Sequence, residues 1–167
     1  MDNMNINQGL TANLVKVGAV AGTTSSFTTT AIVSGATING KWTAPLAVQT
    51  NAATPTVDAA TGQPFVPLMP NQCCTLVFGV NAAGALQMCQ GKVIPCNVGV
   101  GATQGGLLND PQFPGLPNDF CPVAYTVVST APSAAPWTPG AGAWTATGVA
   151  ATTFQNVSQL PSRPQAS

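Results

Sequence analysis

Between Asn71 and Gly91 the chain reads NQCCTLVFGVNAAGALQMCQG, two apolar runs separated by Ala82-Ala83-Gly84. β-Branched and aromatic side chains suit a pleated surface, and a small-residue turn between two such runs specifies a β-hairpin. Side chains alternate across a strand, so Cys74, Leu76, Phe78 and Val80 share one face, and Cys73, Thr75, Val77 and Gly79 the other. Leu86 and Met88 meet the first set from the returning strand. The spacing predicts one face of this hairpin as core, and the rest of the chain has to supply what covers it.

The remaining segments carry the same signature. FTTTAIV (Phe27–Val33) is β-prone, and Asn39-Gly40 in ATINGKW is a type I′ hairpin turn, because both central positions need positive φ. From Ala44 to Gln72 the apolar pieces are broken by Pro45, Pro55, Pro64, Pro67 and Pro70, which confines them to edge strands or loops, and Asp58–Gly62 reads as another turn. Val123–Ser129 is a strong strand, with Val123, Tyr125 and Val127 expected on one face. Shorter strands are expected near 143–147 and 152–157. Fifteen prolines and seventeen glycines among 167 residues oppose helices. These features predict an all-β or mainly β fold, a single compact β-sandwich or barrel-like domain with long irregular Pro/Gly-rich loops and extended termini. We place an N-terminal arm or first strand at 1–26, the β-rich domain at 27–157 and an extended C-terminal tail at 158–167.

Charge narrows the function. Charged residues make up 5% of the chain, four basic and four acidic, and none is Glu. A net charge of zero with so few ions of either sign supplies little of the repulsion that keeps soluble proteins apart, so life in an assembly is expected. Lys16, Lys41, Lys92 and Arg163 are scattered, which gives no phosphate-binding footprint and predicts no direct nucleic-acid contact. The apolar run Leu14–Ala21 is too short to span a bilayer and is not preceded by the positive region of a secretory signal, so neither a membrane segment nor an export leader is expected.

The groups that catalysis needs are missing. The chain has no histidine, which excludes Ser-His and Cys-His nucleophile pairs. Asp58, Asp110 and Asp119 sit in turn contexts where Asp bonds to nearby backbone, and no calcium loop is spaced among them. Cys73, Cys74, Cys89, Cys96 and Cys121 lack the paired knuckles of a zinc site. Buried, unreactive thiols are expected, with a Cys96–Cys121 disulfide as the alternative. The sequence therefore predicts no enzyme, no cofactor and no metal. Lys92–Pro122 is a long stretch with little periodicity. There Phe113, Leu116 and Phe120, stiffened by Pro111, Pro114, Pro117 and Pro122, are the candidate subunit-contact residues; capping the domain's own core is the other reading.

ATINGKW, TNAATPTVDAATGQPF, LVFGVNAAGAL, QFPGLPNDFCPVAYTVV and LPSRPQ together resemble small virion structural proteins of tailed bacteriophages, of the capsid decoration or head cement type. The resemblance covers roughly residues 25–165 and rests on turn and strand signatures, with no chemical motif to carry over. It implies a protein made in the bacterial host cytoplasm and mounted on the outer surface of the capsid. The implied partners are the major capsid protein and further copies of the chain, as a dimer or trimer. The competing readings are a phage tail or fibre component, for which Trp137 and Trp144 are the one hint of a carbohydrate-binding cluster although core positions are expected for them, and a secreted carbohydrate-binding or adhesin-like module, which the low-charge, Thr-rich composition fits.

Overall fold

The computed structural model describes residues 11–13, 18, 20–21, 26–28, 36–98, 105–106 and 111–164. Among these the regular elements are strands: β1 (Ala12–Asn13), β2 (Val20–Ala21), β3 (Ser26–Thr28), β4 (Ala36–Ile38), β5 (Lys41–Trp42) and β6 (Ala52–Ala53). They continue with β7 (Gln72–Val80), β8 (Leu86–Gln90), β9 (Ile94–Pro95), β10 (Asn97–Val98), β11 (Gly105–Gly106), β12 (Cys121–Thr130), β13 (Val149–Ala151) and β14 (Gln155–Asn156). The fold is mainly β and antiparallel throughout its sheets. Of the expected arm at 1–26, the described β1 and β2 pair with β4 and β3 of the same chain. Most of the apolar run Leu14–Ala21, and most of Phe27–Val33, lie outside the described residues.

The two longest strands, β7 and β12, lie side by side in the middle of a six-stranded sheet. On the far edge of β7, β8 occupies one end and β9 the other; on the far edge of β12, β13 and β14 do the same. The β7–β8 hairpin forms in the expected register, with Phe78 opposite Met88 and Val80 opposite Leu86. Its loop is organised by Asn81, whose side-chain carbonyl accepts from the amides of Ala83 and Ala85. The Asn39-Gly40 hairpin also forms, with φ of 51° and 74° and Ile38 opposite Lys41.

Both faces of β7 are buried, not one. Cys74, Leu76, Phe78 and Val80 enter the larger cluster, with Met88, Ile38, Leu46, Phe65, Leu68, Trp137, Trp144 and Phe154 laid over them. Val77 enters a second cluster with Cys89, Phe120 and Tyr125, roofed by Ala59, Phe113, Leu116, Val157 and Leu160. Only Thr75 interrupts the apolar sequence of this strand between Cys73 and Val80, and its side chain is buried too. A near-continuous apolar run is what a strand covered on both sides requires.

Two further expectations change. The β7–β12 register shifts between Pro122 and Ala124, leaving Val123 as the extra residue of a β-bulge. Val123 and Ala124 then both join the larger cluster, and Val123 parts from Tyr125, which pairs with Val77 on the opposite face. Proline at 122 has no N–H to give to a ladder, so an irregularity there loses little. Residues 143–147 form turns where a strand was expected. Ala146 N donates to Ala143 O and Val149 N to Ala146 O, and the strand begins only at Val149.

Gly79 is fixed by close approach. A Cβ there would overlap the Phe120 ring and lie 2.6 Å from the Cys121 carbonyl oxygen. Gly79→Ala is therefore expected to push Phe120 off the sheet and cost about 1–3 kcal/mol, measured as a lower urea midpoint with unchanged slope.

Candidate interaction surface

With both sheet faces covered, function must lie on the outside of the covering layers. The stretch 57–69 has its backbone tied down from several sides. Asp58 builds the turn: its carboxylate accepts from Ala60 N at 3.0 Å, Thr61 Oγ1 at 3.1 Å and Gln90 N at 3.4 Å. The Gln90 side-chain amide then brackets Val66, accepting from its N–H and donating to its carbonyl, both at 2.8 Å. Leu68 exchanges two backbone hydrogen bonds with Trp137, and Met69 N donates to Gln72 Oε1 at 2.8 Å. At its end Thr130 Oγ1 donates to Met69 O at 2.6 Å.

These bonds decide which side chains turn in. Phe65 and Leu68 are buried, whereas Val57, Val66 and Met69 stand out into solvent, Val66 at 58% exposure. Pro64 and Pro67 between them are exposed as well. The outcome is a tied-down strip that shows Val57, Val66 and Met69 to solvent, with Thr61 and Gln63 exposed among them and Asp58 turned in. Beside it lies a hollow of about 460 Å³, lined by Val66, Val93, Gln63, Gln90, Asp58 and Lys92 among others. Trp42, on β5, is also exposed, at 67%. Sequence reasoning did not single out this strip. The Pro-broken apolar pieces were visible, but only the hydrogen bonds of Gln90 and Trp137 settle which of Phe65, Val66, Leu68 and Met69 point outward.

The candidate contact residues sit at the second cluster. Phe120 is buried against Gly79 and joins Val77, Cys89 and Tyr125; Phe113 meets the Tyr125 ring edge-on at 5.0 Å between centroids, and Leu116 packs partly buried beside them. Leu116 and Phe120 also line a hollow of about 450 Å³ with Thr11, Asn39, Asn118 and Gln159. The outward positions of this segment are Gln112, Gly115, Asn118 and Asp119. Asp119 accepts a hydrogen bond from Ala82 N at 2.8 Å, a turn-bracing role like that of Asp58.

Trp137 and Trp144 are buried and packed together with centroids 5.3 Å apart and rings tilted by 54°, and Trp137 Nε1 donates to Ala143 O at 2.9 Å. They are core residues and present no ring to a sugar.

All five cysteines are free and buried. Burial pushes the thiols of Cys73, Cys74 and Cys89 up to about 12 and that of Cys121 up to about 11, and raises Cys96 as well. Such thiols are protonated at neutral pH and are poor nucleophiles. The Cys96–Cys121 disulfide is ruled out by the ladder: Cys121 faces Val80, while Cys96 N donates to Asn71 O at the other end of β7. At about 3.3 Å per residue those ends are roughly 30 Å apart. Among the described residues no group of three His, Cys, Asp or Glu could hold a metal ion, and no helix is long and apolar enough to cross a membrane. No family model matches the sequence, and no curated protein or solved structure matches it.

Proposed function

We propose that this chain is a structural protein of a tailed-bacteriophage virion, a head decoration or cement protein bound on the outer capsid surface where major capsid subunits meet. The observation that carries this reading is the set of exposed apolar side chains Val57, Val66 and Met69 on a strip held by side-chain and backbone hydrogen bonds. It is joined by the sequence resemblance to virion proteins and by a surface with almost no ionisable groups.

Function on this reading is passive. A partner that covers the strip removes apolar area from water without having to freeze a flexible loop, because the backbone of 57–69 is already fixed. Val57 and Val66 are β-branched with little rotamer freedom to lose on docking, whereas Met69 loses more. Capsid symmetry repeats the contact many times, and linked copies of the chain, as a dimer or trimer, turn a modest single-site affinity into lasting attachment. Neither nucleic acid nor membrane takes part.

Purified virions, studied by cryo-electron microscopy and quantitative mass spectrometry, test the proposal. The expected result is density for this chain on the head, in copy numbers comparable to the major capsid protein. Absence from the virion, or a few copies confined to the tail, overturns it.

A further inference from the structure

We propose that Cys73 and Cys96 are a latent disulfide pair, a covalent modification site that clips the β9 end of the central sheet. Antiparallel pairing places Cys73 opposite Ile94 and Gln72 opposite Pro95, and the ladder continues through Cys96 N to Asn71 O at 2.8 Å. Residues 94 and 96 lie two apart, so Cys96 falls on the same face of the sheet as Cys73. There each thiol acts on the ionisation of the other, which places the two side chains as neighbours on that face. The register sets the two residues diagonally across the pair, so closing a bond of about 2 Å draws the backbone at Cys96, just past the two-residue β9, toward β7.

The other cysteines are out of reach. Cys74 neighbours Cys73 but points into the larger cluster on the opposite face. Cys89 faces Val77, four residues along β7 and about 13 Å away at the strand rise. Cys121 lies at the far end of that strand.

The two thiols are not equivalent. Burial raises both thiols, but Cys96 lies just past the end of β9 and keeps some exposure, 3% against 0% for Cys73. Cys96 is thus the sulfur that an oxidant in solution meets first. With a glutathione-type disulfide as oxidant, the Cys96 thiolate attacks one of its sulfurs and expels a glutathione thiolate, which takes up a proton. The Cys73 thiolate, its own proton released to solvent, then attacks the Cys96 sulfur of the mixed disulfide. That step forms the Cys73–Cys96 bond and expels the second glutathione. Two protein thiols are oxidised and one glutathione disulfide is reduced. The bond closes a loop running from β7 through β8 to β9 and so restrains the unfolded chain.

The full-length protein is incubated with oxidised glutathione at pH 8.5, once in buffer and once in urea below the unfolding transition, and its cross-linked peptides are mapped by mass spectrometry. The expected product links Cys73 to Cys96, is reversed by dithiothreitol and raises Tm by about 5–10 °C. It forms in Cys121→Ser and is absent from Cys96→Ser. Five free thiols in both incubations, a glutathione adduct that never resolves, or a bond to Cys74, Cys89 or Cys121 overturns the proposal. The test does not depend on the virion reading, since it uses the isolated chain.

Discussion

Phe78→Ala is expected to lower the stability of the protein by about 3–5 kcal/mol, the range for a large aromatic removed from a packed interior. Phe78 is fully buried in the middle of β7, and its ring lies 5.2 Å from that of Phe154 and 6.4 Å from that of Trp144. Trp144 in turn packs on Trp137 and Phe154, at 5.3 and 5.7 Å. Phe78 is the one member of this group that the central sheet supplies. The others come from the 137–154 segment, which has only short strands of its own, so deleting Phe78 takes away the surface on which that segment rests. The cavity cannot close easily, because the ladders to β8 and β12 fix the backbone on both sides. The loss is read as a lower urea midpoint, with a shift in tryptophan emission as Trp144 becomes hydrated. Phe78→Leu, which fills much of the volume, should cost less than half as much. Equal losses for the two variants would mean that the site does not depend on volume and would contradict the packing described.

Alkali is the second lever. Thiols ordinarily ionise near 9.0, whereas burial holds those of Cys73, Cys74 and Cys89 near 12 in the folded chain. Between these values the folded state keeps protons that the unfolded chain has released. The stabilisation is therefore complete below about pH 9 and drains away as pH rises toward 12. For Cys74 the slope is about 1.4 kcal/mol per pH unit in that window, and Cys73, Cys89 and Cys121 act in the same direction. Urea midpoints measured in reductant at pH 7, 8 and 10 should be flat over the first interval and fall over the second. Cys74→Ala should lower the midpoint at pH 8 yet flatten its decline above pH 9. A midpoint that stays level to pH 10.5 would show that the thiols are not buried as described.

How far the sequence reveals this fold varies with the kind of signal. Asn39-Gly40 forms its turn because two consecutive positive φ angles leave few residue choices, and Asp58–Gly62 because a carboxylate can accept from the amides that follow it. The β7–β8 register follows from alternation alone. The second buried face of β7 has Thr75 as its one polar side chain between Cys73 and Val80, but period-two alternation draws attention to a single face. The bulge at Val123 had only Pro122 as a hint. At 143–147 turns stand in place of a strand, and there Trp144 packs against Trp137, a contact between side chains that no local pattern encodes. Phe113, Leu116 and Phe120 were identifiable as anchors; which surface they anchor to is a question of tertiary contact. The strip at 57–69 was least legible, since prolines remove periodicity and the partners that orient it, Gln90 and Trp137, are distant in sequence.

The arrangement of the central sheet bears on how such a chain survives at high concentration. Its long strands, β7 and β12, are flanked on both sides, and what faces outward at the margins is β13, β14, β8 and β9, none longer than five residues. At the β8 margin Ala59 N already occupies the Met88 carbonyl. A second molecule looking for an open ladder to extend finds only fragments of one. For a protein with almost no charge to hold its copies apart, interrupted margins of this kind oppose fibrous, edge-to-edge aggregation while leaving side-chain surfaces free for ordered contacts.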